Sequence, residues 1–152
     1  MFLLKLFNYF KNKFSNLQTR KAKIVFLGLD NAGKTSLLRR LKDGRFIQND
    51  PTLYAYNEEI KIGNISCKAI DMGGHEAMRK VWKDYVHNID AIFYIVDSSN
   101  PDNFATSREE LFKILGFVND DLPIAILGNK IDRDQAVSME EMEAVLSMEK
   151  VR

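Results

Sequence analysis

The stretch KIVFLGLDNAGKT, residues 23–35, constrains the fold of this 152-residue chain more than any other. An apolar run of strand length enters a loop with glycines at 28 and 33, and the loop fits GxxxxGK followed by Ser or Thr. A strand that stops at glycine and restarts as a helix leaves main-chain N–H groups pointing at one spot, with the positive end of the helix behind them. Such a cradle takes phosphate oxygens. The expected phosphate-binding residues are Asp30, Asn31, Ala32, Gly33, Lys34 and Thr35, with Lys34 reaching the outer phosphates and the Thr35 hydroxyl a Mg²⁺ ion. Chance produces this pattern in on the order of one in a few hundred chains of this length. Asp30 is the odd member, because a carboxylate near phosphate is repulsive unless it points outward or helps hold metal or water.

The rest of the chain supplies a sheet for that loop. DAIFYIVD (90–97) and LPIAILG (122–128) read as strands buried on both sides. NEEIKI (57–62) and ISCKAID (65–71) flank Gly63-Asn64, a hairpin-type connection. Met78, Val81, Trp82 and Tyr85 recur at helical spacing, which predicts one helix over 76–87 with a single buried face. A second helix runs from Pro101 to about Phe117, and Ser138 with Glu141 forms a capping-box pattern that opens the last one. Strands alternating with helices imply an α/β fold: a mostly parallel central sheet with one antiparallel strand and helices on both faces. One domain is expected, and its single cysteine, Cys67, suits a reducing compartment.

Two further motifs point to a purine nucleotide. In NKID (129–132) an Asn side chain can pair with the N7/O6 edge of a purine, the Lys130 stem can lie over the ring, and Asp132 can accept from N1–H and the 2-amino group of guanine. Alone, four such residues are equally an exposed turn; about 100 residues downstream of a phosphate loop and directly after a strand, Asn129, Lys130 and Asp132 become a guanine site. In IDMGGH (70–75), Asp71 is placed to hold Mg²⁺ and Gly74 to bring a main-chain N–H to the γ-phosphate. His75 follows where a residue must orient the attacking water, and neutral imidazole can do so. Thr52, after Pro51, is the expected partner of γ-phosphate and Mg²⁺ from a mobile loop, its plainer reading being a Pro-Thr turn.

Net charge is +1, which argues against a nucleic-acid partner, but it is unevenly spread. Residues 1–29 hold six basic side chains and no acid, while the other 16 basic and 21 acidic residues leave −5. The same basic segment places Leu3, Leu6, Phe7, Phe10, Phe14 and Leu17 on one helical stripe. That pairing suits a helix lying on anionic lipid. A helix packed permanently on its own domain and a mitochondrial transit peptide are the rival readings. Lys5, Asn8 and Lys11 interrupt any secretory or membrane-spanning core, and Phe2 stands where N-myristoylation needs glycine.

Taken together these residues resemble the Ras-related small GTPases, and within them the Arf/Sar branch, whose phosphate loop reads GLDNAGKT as here. The His in DMGGH, the runs VWKDY (81–85), PTL (51–53) and LGNKIDR (127–133), and an N-terminal helix without an acylatable glycine are similar to the Sar type. The resemblance implies a P-loop small-G-protein fold with a membrane-binding helix at 1–20 and a GTP-binding domain at 21–152. It implies binding of GTP and GDP with Mg²⁺, held by Thr35, Thr52 and Asp71, and slow hydrolysis with His75 as catalytic residue and an arginine supplied by a coat partner. It implies as partners endoplasmic-reticulum lipids, the COPII inner coat with its GTPase-activating subunit, and a membrane-bound exchange factor. The setting is the cytosolic face of the endoplasmic reticulum, with the Golgi as a further location. GTP would draw the loops onto γ-phosphate, shift the hairpin of residues 57–71 by an even number of residues, and release the helix. Family members continue to a sixth strand and a loop that contacts guanine O6, and neither is legible before Arg152, so the chain is expected to be C-terminally short. Tyr54 and Tyr56 depart from the family pattern. The alternative is a hydrolysis-deficient scaffold or another P-loop NTPase.

Overall fold

The computed structural model describes residues 21–45, 50–62 and 65–150. The amphipathic segment 1–20 and the Gly63-Asn64 turn lie outside the described residues. Five strands form one sheet: β1 (Ala22–Leu27), β2 (Tyr56–Ile62), β3 (Ile65–Asp71), β4 (Ala91–Asp97) and β5 (Ile124–Asn129), in the order β2-β3-β1-β4-β5. β2 pairs antiparallel with β3; every other pairing is parallel, so the expected mixed sheet is found.

Alternation along β1 and β4 builds two cores. Ile24, Phe26, Phe93 and Ile95 face α1 (Lys34–Asp43), whose Leu37, Leu38 and Leu41 cover them. Phe26 and Phe93 are paired across the strands and meet edge-on with ring centroids 5.0 Å apart. Val25, Leu27, Ile92, Tyr94 and Val96 face the other side, against Trp82, Leu111, Ile114 and Met142. These last residues belong to α3 (Trp82–Tyr85), α4 (Phe104–Leu115) and α5 (Met139–Val145). Every residue of β4 is buried, as a central strand with both faces covered must be.

The structure departs from the sequence reading in three places. The single helix expected over 76–87 is two short turns, α2 (Glu76–Arg79) and α3, because the Trp82 indole turns in beneath the sheet and donates to the Gly73 carbonyl at 3.0 Å. The helix expected from Pro101 opens as a 3₁₀ turn, Pro101–Asn103, before α4 begins. β5 alternates between buried and part-exposed residues instead of being buried throughout, since it is the edge strand among the described residues. The Ser138 capping box is present: Glu141 N–H donates to the Ser138 hydroxyl at 3.2 Å, and Ser138 N–H to Glu141 Oε2 at 2.8 Å.

Because β1, β3, β4 and β5 run parallel where they pair, their C-terminal ends gather on one edge. The segments after those ends carry Gly28–Thr35, Met72–His75, Ser98 and Lys130–Asp132. Ligand sites of open α/β sheets form on such an edge.

Candidate functional site

The loop after β1 is shaped by glycine at two points. Gly28 has φ 140°, and a Cβ there would stand 2.1 Å from the Ile95 carbonyl oxygen, so the strand end can lie flat on β4 only without a side chain. Gly33, with φ 92°, caps α1 and would drive a Cβ to 2.2 Å from the Asn129 side-chain nitrogen. Asn31 adopts φ 58° between them, a left-handed conformation that asparagine tolerates better than most residues.

Beside this loop lies a cavity of about 230 Å³ whose walls include Asp30, Asn31, Lys34, Thr35, Thr52 and Gly74. Lys34 is 5% exposed and its Nζ donates to the Leu29 carbonyl at 2.8 Å. Burial lowers its pKa to about 8, against the pull of Asp71 and Asp30 toward the charged form. Asp30 lines the cavity but is exposed, so its carboxylate keeps contact with water.

Three oxygen-bearing side chains meet at the cavity. The Thr35 hydroxyl donates to Asp71 Oδ2 at 2.5 Å, the Thr35 and Thr52 hydroxyls lie 2.7 Å apart, and Thr52 is 3.4 Å from the same carboxylate oxygen. Asp71 is 1% exposed, and its Oδ1 is buried without a hydrogen-bond partner among the described residues. Burial raises its pKa, opposed by the Thr35 hydroxyl, the Lys34 charge and the Thr52 hydroxyl. An all-oxygen set with one orphaned carboxylate oxygen is the chemistry of a hard cation such as Mg²⁺. Among the described residues no group of three or more His, Cys, Asp or Glu is placed to hold a metal ion by itself, so such an ion would draw its other ligands from phosphate and water.

Gly74 closes the site from the β3 side. A Cβ on it would fall 2.3 Å from the Leu29 carbonyl carbon and 2.4 Å from Asp30 N, both main-chain atoms that cannot swing away. Gly74→Ala should therefore lower stability by about 1–3 kcal/mol, measured by denaturant unfolding. A variant as stable as wild type would show that the two segments do not pack this closely in solution. His75, half-buried, stands at the N-cap of α2, and its carbonyl accepts from Met78 and Arg79 N–H.

The turn after β5 is tied to the phosphate loop. Asn129 Nδ2 donates to the Ala32 carbonyl at 2.8 Å across 97 positions of sequence, a bond the motif alone did not reveal. Lys130, with φ 59°, pairs at 2.7 Å with Asp97, a residue the sequence reading had passed over. Burial works to raise the Asp97 pKa, but the paired Lys130 ammonium and hydrogen bonds from Ser99 outweigh it and hold the carboxyl below its ordinary range. Asp132 is exposed beyond the turn.

A glycine loop of the phosphate-binding pattern and an NKxD turn, braced against each other by one side-chain hydrogen bond, place the molecule among P-loop proteins of the small-G-protein fold. The solved Arl6 BBS3 small GTPase from Trypanosoma brucei with bound nucleotide analogue GppNp superposes with a TM-score of 0.78 at 26% identity, over 87% of this chain and 80% of that one. Residues 7–152 match the ADP-ribosylation factor (Arf) family, and the chain belongs to that family. It is 54% identical over 99 residues to the small COPII coat GTPase SAR1 of Nicotiana tabacum, covering 65% of this chain and 50% of that protein. It is 45% identical over 140 residues to the small COPII coat GTPase SAR1 of Giardia intestinalis, covering 89% of this chain and 72% of that protein. ADP-ribosylation factor-like protein 4C of Homo sapiens is 39% identical over 131 residues, 82% of this chain and 68% of that one. The chain thus spans about half the length of the tobacco relative.

Proposed function

We propose that this chain is a GTP-dependent switch of the Sar type, which binds GTP and GDP, hydrolyses GTP slowly, and joins a membrane through residues 1–20 when GTP-loaded. Residues 21–152 form the nucleotide-binding domain in this reading. The observation that carries it is the meeting of Thr35, Thr52 and Asp71, contributed by three separate segments and leaving an orphaned carboxylate oxygen. These three would hold Mg²⁺, which when bound neutralises charge on the phosphate oxygens. The loop amides and Lys34 hold the phosphates, and the Gly74 N–H meets the terminal one. His75 orients the attacking water. Asn129 braces the loop while Lys130, fixed by Asp97, lies along the base, and Asp132 accepts from the guanine N–H donors.

Among the described residues no arginine lines the cavity, so charge on the transferring group is left for a partner to neutralise, and hydrolysis by the chain alone is slow. The 45–54% identity to two small COPII coat GTPases supports COPII inner-coat subunits as that partner, and the cytosolic face of the endoplasmic reticulum, with its exchange factor, as the setting. No helix among the described residues is long and apolar enough to cross a membrane. The stripe at residues 3–17 supplies the lipid contact instead.

Flotation with anionic liposomes, in GDP and in a non-hydrolysable GTP analogue, tests the reading. The chain should float with the analogue and stay behind with GDP; equal partition in the two states would defeat it.

A further inference from the structure

The chain from Gly73 to Tyr85 is anchored on the side away from the cavity. Trp82, 2% exposed, donates to the Gly73 carbonyl and stands edge-on to Tyr94 with centroids 6.5 Å apart. Arg79, the last residue of α2, reaches Glu110 on α4, with Nη1 3.2 Å from Oε1 and side chains only 17% and 11% exposed. The same Glu110 oxygen accepts from Lys113 at 2.9 Å. One turn earlier on α4, the Ser107 carbonyl accepts from the Tyr94 hydroxyl at 2.8 Å. Arg79 makes one end-on contact instead of the two-pronged fork available to it, and its Nε is buried with no partner among the described residues. A pair this dry and this incompletely bonded fixes geometry more than it adds stability.

Arg79 is also linked to the site through the main chain, since its N–H donates to the His75 carbonyl at 3.1 Å. The turn that carries His75 and follows Gly74 is therefore held where Arg79 is held. We propose that Arg79 and Glu110 are positioning residues for the triphosphate state: their ion pair fixes the Gly74–His75 turn where a terminal phosphate meets it. The inference rests on the guanine-nucleotide reading above. The inner phosphates are gripped by the loop after β1 and by Lys34, which do not depend on α2. Only a terminal phosphate reaches Gly74 and His75. Loosening the pair should thus weaken triphosphate binding and leave diphosphate binding alone.

The test measures affinities of the full chain for GDP and for a non-hydrolysable GTP analogue in Mg²⁺. Glu110→Gln keeps the shape and removes the charge; it should lower the ratio of analogue to GDP affinity about tenfold, with GDP affinity unchanged. Exchanging the charges, Arg79→Glu with Glu110→Arg, should recover most of that ratio. A Glu110→Gln chain with the wild-type ratio, or one that loses both affinities in step as a general structural defect would, overturns the proposal. A wild-type chain that binds neither nucleotide overturns the reading beneath it, which distinguishes the two failures.

Discussion

Lys34→Ala is expected to weaken binding of GDP and GTP by about two to three orders of magnitude, since charge-assisted hydrogen bonds contribute ~1.5–3 kcal/mol each. The ammonium group is held in a nearly dry position, with burial drawing its pKa down to about 8. Among the described residues its hydrogen bond goes to the Leu29 carbonyl, a weaker acceptor than a phosphate. Stability of the nucleotide-free protein should change by no more than ~1 kcal/mol, because relief of a desolvated cation and loss of a counter-charge for Asp71 oppose each other. Nucleotide titration and denaturant unfolding read the two quantities separately. An affinity within a few-fold of wild type would remove Lys34 from the phosphate site.

Asp132→Asn should reduce guanine-nucleotide affinity by about 100-fold or more and raise affinity for the corresponding xanthine nucleotide. In the proposed reading the carboxylate accepts from the N1–H and 2-amino donors of guanine. Asparagine sets an N–H against one of those donors, whereas xanthine carries a carbonyl at the same ring position and accepts from it. The residue is exposed, so the variant should unfold at the wild-type midpoint. Competition between GDP and its xanthine counterpart decides the matter, and an unaltered preference for guanine would place base reading elsewhere.

Much of the fold could be read from local pattern. The apolar run before Gly28, the uninterrupted AIFYIVD of β4 and the Ser138–Glu141 box each carry their structure within a few residues, where period and capping chemistry operate. The strand–glycine loop–helix shape over residues 22–43 was legible for the same reason: consecutive residues set it. What escaped was fixed by contacts distant in sequence. Nothing local in NKID shows that Asn129 bonds to Ala32, or that Lys130 is steered by Asp97. The break between Arg79 and Trp82 follows from two side chains reaching in different directions, to Glu110 and to Gly73, while the apolar spacing there still reads as one helix. β5 has the composition of a central strand; its neighbours, not its letters, make it an edge.

In the parallel ladder between β1 and β3, Phe26 stands opposite Asp71, and Asp71 is also the carboxylate at Thr35. Strand alignment and the oxygen cluster are therefore a single coordinate. If β3 were to slide along β1 by one full pleat repeat, the buried pattern would be kept, yet the carboxylate would travel about 6.6 Å and leave the threonines behind. The ladder is thus a vernier: the rung at which the two strands engage sets where the Asp71 carboxylate stands against Thr35.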